Sequence, residues 1–488
     1  MKIPTSQDHI WVSSAPNASE EGSFERPYSS IAKAVEKALP GQTVVLKAGN
    51  YSGDVTIEHG GTMEKPLRIM AEKGAVVLCV GSCWYFYDVT DIICSGILFK
   101  ESPGMAIAVM GKCERNRFEL LQFMDCSLTK ENACTFFFGG SGQFCNIVES
   151  CDFFQSGAER QSLKMQPSLS IGIMIAEGDF QQGEPNRDCI VSKNRFSGYG
   201  YGILLGSQDD SPGQYGHRVM YNTVENCYHE GIMAKCGDTL IKGNLIKNCS
   251  RNSISLAAGV GSIVEENRIL DCGSGIRICG MGHTVSNNCV VRARQSAISI
   301  ESNNAARAVQ ATNVIVERNT LVNWGHGAAK PLSGIAIEAQ TTCVICNNLL
   351  HGKGKPYEIF NRGDTTPAPC DREKYLIQNN AVSDGCEELD GGVRRAAAFL
   401  AASFDNYCND SGYGATGWML TPEAFDPGAD IFSSCSEGSP DTYREEPEGE
   451  AEEIGEEADE GTDEETDEET DEGGSMARSI FLPDEQDE

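Results

Sequence analysis

The sequence predicts an all-β chain folded as a right-handed parallel β-helix, a solenoid with short helical caps and a disordered acidic C-terminal tail. Apolar segments that end in Asn and an apolar residue recur along the chain, and a second apolar segment follows each Asn by about ten residues. The uneven distribution of charge separates the tail from the solenoid. We therefore expect the solenoid over residues 1–440 and the tail over residues 441–488.

The Asn repeat sets the length of one coil. From Asn222 to Asn288 the successive intervals are 22, 23 and 21 residues, and longer intervals elsewhere contain Gly- and Pro-rich insertions. Because Asn tolerates left-handed backbone conformations and its amide can hydrogen-bond from coil to coil, we expect a ladder of Asn residues at a turn. The members of the repeat are Asn194, Asn222, Asn244, Asn267, Asn288, Asn319, Asn348 and Asn380, with Cys126 and Cys151 at the same position in two earlier coils.

The segment after each Asn alternates in hydropathy, which is typical of a strand with one buried face. Two such strands per repeat cannot bury their apolar face alone, so each coil must stack on the next. The period is too short for TPR or ankyrin units, and the leucine-rich signature is absent. A parallel β-helix of about a dozen coils accounts for this pattern. Its first inward column is Ile232, Ile254, Ile276, Ile298 and Ile335.

Both ends of the solenoid contain segments suited to cover it. Apolar residues at positions 31, 34, 35, 38 and 39 predict a short amphipathic helix over residues 29–39, which begins near Ser29 and Ser30 and ends before Pro40. Because open sheet edges promote aggregation, we expect this helix to cap the N-terminal end. Residues 393–406 are expected to cap the other end.

Most of the net charge of −32 belongs to the tail, where residues 441–488 contain 23 acidic and 2 basic residues. Its Thr-Asp-Glu-Glu repeats are low in complexity and self-repelling, which predicts disorder. The tail is interpreted as a solubilising linker, or alternatively as a flexible tether that presents the apolar peptide 475–483 to a protein partner. The rest of the chain carries only −11, which argues against nucleic acid as a partner.

Compartment and membrane association follow from apolar runs and cysteines. No stretch approaches the roughly 20 apolar residues of a membrane span, so we expect no membrane partner. The first residues contain no apolar signal-peptide core. The 21 cysteines are odd in number and recur beside apolar residues, which favours reduced, buried thiols. We expect a cytoplasmic protein, or a secreted one if a signal peptide has been removed.

Two N-terminal stretches resemble a known fold family. Residues 22–51, from Gly22-Ser-Phe-Glu to Gly49-Asn-Tyr51, and residues 61–71 resemble the first segment of pectate-lyase-like right-handed β-helix proteins. This resemblance implies the fold and is poorly specific for activity.

A narrower resemblance covers residues 229–288, which are similar to the chondroitinase B and alginate lyase family. The resemblance implies a Lys general base, a Glu just upstream that helps to hold calcium, and an Arg one coil further on. By position, Lys235 matches the base and Glu230 one calcium-binding carboxylate. Two positions depart from the family pattern: Tyr228 stands where a second carboxylate is expected, and Ala257 stands where the family has its catalytic Arg.

The strand alignment places these residues on one outer face. Lyases of this kind neutralise a uronate carboxylate, remove the C5 proton and protonate the leaving oxygen. Lys235 and Arg277 are expected two coils, or about 10 Å, apart. Residues 229–294 contain 8 basic and 5 acidic residues, a charge that would steer a polyanion or would only keep the surface soluble. The expected outward columns are Lys235, Ala257, Cys279, Glu301 and Glu338, and beside them Met233, Ser255, Arg277, Ser299 and Ala336.

We therefore predict a polysaccharide-active protein that performs lyase-like β-elimination on a uronate-containing glycan. The predicted catalytic residues are Lys235 and Arg277; the predicted contacts to an acidic polysaccharide or oligosaccharide are Arg251, His283 and Glu301; the predicted metal ligand is Glu230. Calcium is the only cofactor expected, although one carboxylate is a poor site for an ion that takes six to eight oxygens.

Other functions remain open from the sequence. Ala257 favours a non-catalytic carbohydrate-binding or structural β-helix with a degenerate groove. A uronate C5-epimerase shares the proton abstraction. Hydrolysis is less favoured because no Asp pair stands in one column.

Overall fold

The structure, a computed structural model, describes residues 8–15, 20–127, 134–156, 170–176, 185–206, 215–302, 310–325, 332–361, 374–382 and 393–395. In these residues the regular structure is almost entirely β-strand, arranged in three parallel sheets. A typical coil contributes one strand to sheet A, then one to sheet B, then one to sheet C. The prediction of an all-β solenoid is confirmed, but a coil has three strands and not two.

The strands are numbered in chain order and grouped by sheet. Sheet A contains β1 (His9–Val12), β2 (Thr43–Leu46), β5 (Leu67–Ala71), β8 (Ile92–Ser95), β11 (Arg117–Glu119), β14 (Ile147–Glu149), β17 (Ile190–Ser192), β20 (Arg218–Met220), β23 (Leu240–Lys242), β26 (Ile263–Glu265), β29 (Thr284–Ser286), β32 (Val314–Glu317), β35 (Cys343–Cys346) and β38 (Tyr375–Gln378). Sheet B contains β3 (Gly49–Tyr51), β6 (Val77–Val80), β9 (Ile97–Lys100), β12 (Gln122–Met124), β15 (Asp152–Phe154), β18 (Arg195–Ser197), β21 (Thr223–Glu225), β24 (Leu245–Lys247), β27 (Arg268–Leu270), β30 (Cys289–Val291), β33 (Thr320–Val322), β36 (Leu349–His351), β39 (Asn380–Val382) and β40 (Val393–Arg395). Sheet C contains β4 (Val55–Ile57), β7 (Trp84–Tyr87), β10 (Ile107–Met110), β13 (Cys134–Gly139), β16 (Ile171–Ile175), β19 (Tyr201–Leu205), β22 (Ile232–Ala234), β25 (Asn252–Leu256), β28 (Ser274–Ile278), β31 (Ile298–Ile300), β34 (Ile335–Glu338) and β37 (Tyr357–Phe360).

The Asn turn divides what the sequence presents as one strand into two. The residue before the Asn has a positive φ, as in Lys193 (57°), Tyr221 (57°) and Glu266 (58°), and this left-handed residue bends the chain from sheet A into sheet B. The Asn residues themselves are not left-handed, contrary to our expectation. They form the predicted ladder: the backbone N–H and Nδ2 of Asn222 donate to Oδ1 of Asn244, at 2.9 and 3.0 Å.

The interior is filled by columns of apolar side chains that repeat from coil to coil. The predicted Ile column is confirmed, since its members pair on successive strands of sheet C and all are buried. Sheet B contributes a stack of phenyl rings, with Phe123, Phe153 and Phe196 separated by 4.6 Å between ring centroids. Such ring pairs add about 0.5–1.5 kcal/mol each beyond the area they bury.

The N-terminal end carries the predicted helix. Helix α1 (Ile31–Lys37) begins after Ser30, whose Oγ accepts a hydrogen bond from the Lys33 backbone N–H at 3.3 Å. Its buried residues Ile31, Ala34 and Val35 face β1, β2 and β4. The helix is two residues shorter at each end than the predicted 29–39, because Ser30 and Ala38 both have an extended conformation.

The C-terminal predictions fall mostly beyond the described residues. Val393–Arg395 is a strand of sheet B paired with β39, and the rest of the expected cap, 396–406, lies outside the described ranges, as does the acidic tail. Within the described residues, no helix has the length and apolar character needed to cross a membrane.

Candidate functional site

The outer face of sheet C presents the predicted column around Arg277. Strand pairing places Met233 beside Ser255, Ser255 beside Arg277, and Arg277 beside Ser299. This face is partly covered: Ser255 is fully buried and the Arg277 side chain is only 19% exposed. The guanidinium of Arg277 therefore lies in a partly desolvated setting, where charged contacts are stronger than at an open surface.

Gly231 determines on which side of the sheet Glu230 lies. A Cβ at Gly231 would stand 2.9 Å from Cγ2 of Ile246 and 3.3 Å from Sγ of Cys249, and both of these are core residues. Gly231 and Ile232 thus both face the interior. Glu230 is consequently on the outer side, whereas strict alternation from Ile232 would have turned it inward.

Glu230 is a buried carboxyl group within the electrostatic range of three cations. It is 7% exposed; its Oε1 accepts a hydrogen bond from Asn252 Nδ2 at 2.9 Å, and its buried Oε2 has no hydrogen-bond partner in the described structure. Burial raises the pKa of Glu230, and the hydrogen bond from Asn252 opposes this rise. The charges of Arg277, Lys235 and Arg251 also oppose it. The three cations selected from the sequence therefore act on one carboxyl group.

Arg277 is held by a residue that we expected to contact substrate. Its Nε donates to Oε2 of Glu301 at 3.3 Å. Although burial favours the neutral form, Cys279, Glu301 and Glu230 raise the pKa of Arg277. Glu301 therefore orients a guanidinium. A carboxylate in this position would repel an anionic glycan, so this placement differs from the predicted substrate contact.

The three cations lie on or beside three neighbouring strands of sheet C. Arg251 directly precedes β25 and is exposed, Arg277 lies within β28, and Lys235 directly follows β22 and is half-buried. They belong to three successive coils. They form a triangle on the outer face: relative to the paired inward Ile column, Lys235 lies three residues after it, Arg251 three residues before it and Arg277 one residue after it. Ala257, one coil beyond Lys235, is buried and offers no charge.

His283 lies in the interior of the solenoid. It is fully buried; its Nδ1 accepts from the Ser262 backbone N–H at 3.0 Å and its Nε2 lies 3.0 Å from the Cys279 carbonyl oxygen. Burial lowers its pKa to about 4, so the ring is neutral. Because both nitrogens bind backbone groups, His283 stabilises a turn, and the structure does not place it where it could contact a glycan.

Tyr201 is a member of the outer face that the sequence reasoning missed. It lies two residues before Ile203, as Glu230 lies two residues before Ile232, and those isoleucines pair. Its ring stacks on His229 with centroids 5.2 Å apart. Burial and the charge of Glu230 raise the pKa of Tyr201 to about 12. The signal that could have identified it is its register relative to the inward Ile column.

The donors around Glu230 do not fit calcium. This ion takes six to eight oxygen ligands, several of them carboxylates. The neighbours of Glu230 in its column are Tyr201 and Asn252, and Asn252 turns its amide nitrogen toward the carboxyl group. Nowhere in the described residues do three or more His, Cys, Asp or Glu side chains group in a way that could hold a metal ion. The predicted calcium role of Glu230 has no supporting donor set there.

Comparison with known families agrees with this architecture. The family described as "Right handed beta helix region" matches residues 181–350. This chain is a right-handed parallel β-helix. The match covers the coils that carry Glu230, Lys235 and Arg277.

Solved structures share the β-helix fold at low identity. The PL6 family alginate lyase AlyGC is 16% identical with a TM-score of 0.57, over 80% of this chain and 53% of its own. A mannuronic acid specific family 6 polysaccharide lyase from human gut microbiota is 15% identical with a TM-score of 0.55, over 76% and 89%. A PL6 polysaccharide lyase from Pseudopedobacter saltans is 17% identical with a TM-score of 0.53, over 75% and 94%. These likenesses show the fold alone.

One curated protein is similar over a short stretch. The uncharacterized protein YwoF of Bacillus subtilis (strain 168) is 37% identical over 78 residues, which is 16% of either chain. The β-helix therefore spans about half the length of AlyGC and about one sixth of YwoF.

Proposed function

We propose that this β-helix acts on a uronate-containing polysaccharide by β-elimination at the outer face of sheet C. The observation that carries the proposal is the group of Lys235, Arg251 and Arg277 on three successive coils of sheet C, all of which act electrostatically on Glu230. An extended polyanion repeats a carboxylate on every uronate unit, so cations spread over several coils can bind different units of one polymer. The solved relatives named as alginate and mannuronate lyases act on substrates of this class.

The roles follow from position. Arg277 binds the uronate carboxylate and withdraws charge, which makes the C5 proton more acidic. The amine of Lys235 removes this proton; a C4–C5 double bond forms as the bond from C4 to the glycosidic oxygen breaks. The proton held by Lys235 then passes to the leaving oxygen, so one side chain performs both transfers where Ala257 supplies no second group.

A second candidate function is glycan binding without cleavage. Ala257 favours it, because this buried methyl group cannot assist the departure of the leaving oxygen as an Arg would. The same cations would then serve recognition alone.

The test measures unsaturated uronate by its ultraviolet absorbance and glycan binding by calorimetry. The substrates are alginate, chondroitin, pectate and heparin-type polymers. We expect wild type to release product, and Lys235→Ala and Lys235→Arg to release none. Lys235→Arg should still bind because it keeps the charge, which separates a base from a binding cation. The matched control is Lys247→Ala, whose ammonium pairs with Glu225 at 3.4 Å on sheet B.

Three outcomes are distinguishable. Product from wild type that persists in both Lys235 variants would refute Lys235 as the base. Binding without product in wild type would establish the second candidate. Neither binding nor product with any polymer, in a protein whose circular dichroism shows β-structure, would refute both.

A further inference from the structure

We propose that this β-helix holds the uronate carboxylate by arginine alone, without a metal ion at Glu230. This inference rests on the proposed function, because it names how that same site recognises its substrate. It stands on the donors around Glu230, on the free hydrogen-bonding capacity of Arg277 and on the charge of the face.

The donor set around Glu230 supplies cations where a metal site would need anions. Asn252 donates an N–H to the carboxyl group, and the positive charges of Arg277, Lys235 and Arg251 act on it. A divalent cation placed at Oε2 would be repelled by three charges and would meet one carboxylate. A substrate carboxylate placed at the same face would instead be attracted by these cations.

Arg277 has the geometry for this task. In the described structure its one hydrogen bond runs from Nε to Glu301, which leaves the two Nη groups to form a bidentate pair with a carboxylate. Arg251 is exposed and directly precedes β25, the strand that pairs with β28. It can bind a second uronate unit of the same polysaccharide. Glu301 holds the guanidinium of Arg277 in place through the hydrogen bond from Nε.

Glu230 separates the two ways of binding because they predict opposite effects of Glu230→Gln. If Glu230 binds calcium, this substitution removes a ligand and weakens glycan binding. If Glu230 binds no metal, the substitution keeps the shape and the acceptor for Asn252 and removes a group that can carry negative charge. Affinity for a polyanion then stays the same or rises.

The experiment is calorimetric titration of the full chain with oligomers of mannuronate and guluronate and with chondroitin oligosaccharides, in EDTA and in calcium. We expect equal affinity in both conditions and no heat from calcium alone. Arg277→Gln should lose about tenfold in affinity, the loss of one charge-assisted contact, and Arg277→Lys should lose less. Glu230→Gln should bind at least as well as wild type. The control Arg292→Gln removes an arginine that donates to Asp271 through Nε and Nη2, away from this column, and should bind as wild type does.

Binding that disappears in EDTA, returns with calcium and is abolished by Glu230→Gln would overturn the inference and leave the proposed function standing. Calcium heat that is lost in Glu230→Gln would also overturn it. If wild type binds no polyuronate with or without calcium, the proposed function itself fails. Thermal unfolding of each variant shows whether a loss of affinity arises from a loss of fold.

Discussion

Removing one rung of the asparagine ladder should destabilise the solenoid far more than removing an exposed asparagine. Asn267 is fully buried and sits in the middle of the ladder. Its Oδ1 accepts from the backbone N–H and Nδ2 of Asn244, both at 2.9 Å. Its Nδ2 donates to Ile241 at 2.8 Å, to Glu265 at 3.0 Å and to Asn288 Oδ1 at 2.9 Å.

The magnitude follows from what Asn267→Ala leaves behind. The buried backbone N–H of Asn244 loses its acceptor, and an unsatisfied buried donor costs about 1–3 kcal/mol. The Ile241 carbonyl also loses a donor, at about 1 kcal/mol for the net value of one hydrogen bond. Asn244 Nδ2 keeps its bond to Val219 at 2.9 Å, which limits the damage. We expect the free energy of unfolding to fall by about 3 kcal/mol.

The assay is urea-induced unfolding followed by circular dichroism and by tryptophan fluorescence. The control is Asn50→Ala, because Asn50 is exposed in β3 and its loss should change the free energy of unfolding by less than about 0.5 kcal/mol. Equal midpoints for Asn267→Ala and Asn50→Ala would refute the reasoning that the ladder stabilises the turn.

Two further predictions concern acid stability and thiol chemistry. Burial lowers the pKa of His283 from 6.5 to about 4, so the neutral ring stabilises the fold fully above the unfolded pKa and less as pH falls toward 4. Between pH 7 and pH 5 wild type should lose about 2 kcal/mol more than His283→Asn in urea unfolding, and equal losses would contradict this. In maleimide labelling read by mass spectrometry, Cys79 and Cys126 should stay unmodified in the native chain, because burial raises their thiol pKa to about 12 and about 11. Of the described cysteines, only the half-buried Cys145 and Cys289 should react. Labelling of Cys79 in the native chain would refute this.

The sequence determined the coil and its inward columns. The Ile column from Ile232 to Ile335 and the Asn ladder could be predicted because hydropathy alternation and a fixed repeat are local properties that each coil expresses separately. The outward column through Met233, Ser255 and Arg277 followed, since residues at equal distance from the ladder must stack in a parallel sheet.

The tertiary structure decided what surrounds each functional group. The left-handed residue before each Asn divides one predicted strand into two, so that a coil has three strands. Gly231 interrupts the alternation of inward and outward side chains, which places Glu230 on the outer face. Both are backbone effects that a pattern of apolar residues does not contain. His283 is interior and Glu301 is an arginine partner because their surroundings come from other coils. Burial and charge around a side chain depend on how the coils stack. The sequence alone therefore supplied the candidate residues of the site, and only the fold separated those that face a glycan from Glu301, which binds a guanidinium, and His283, which stabilises a turn.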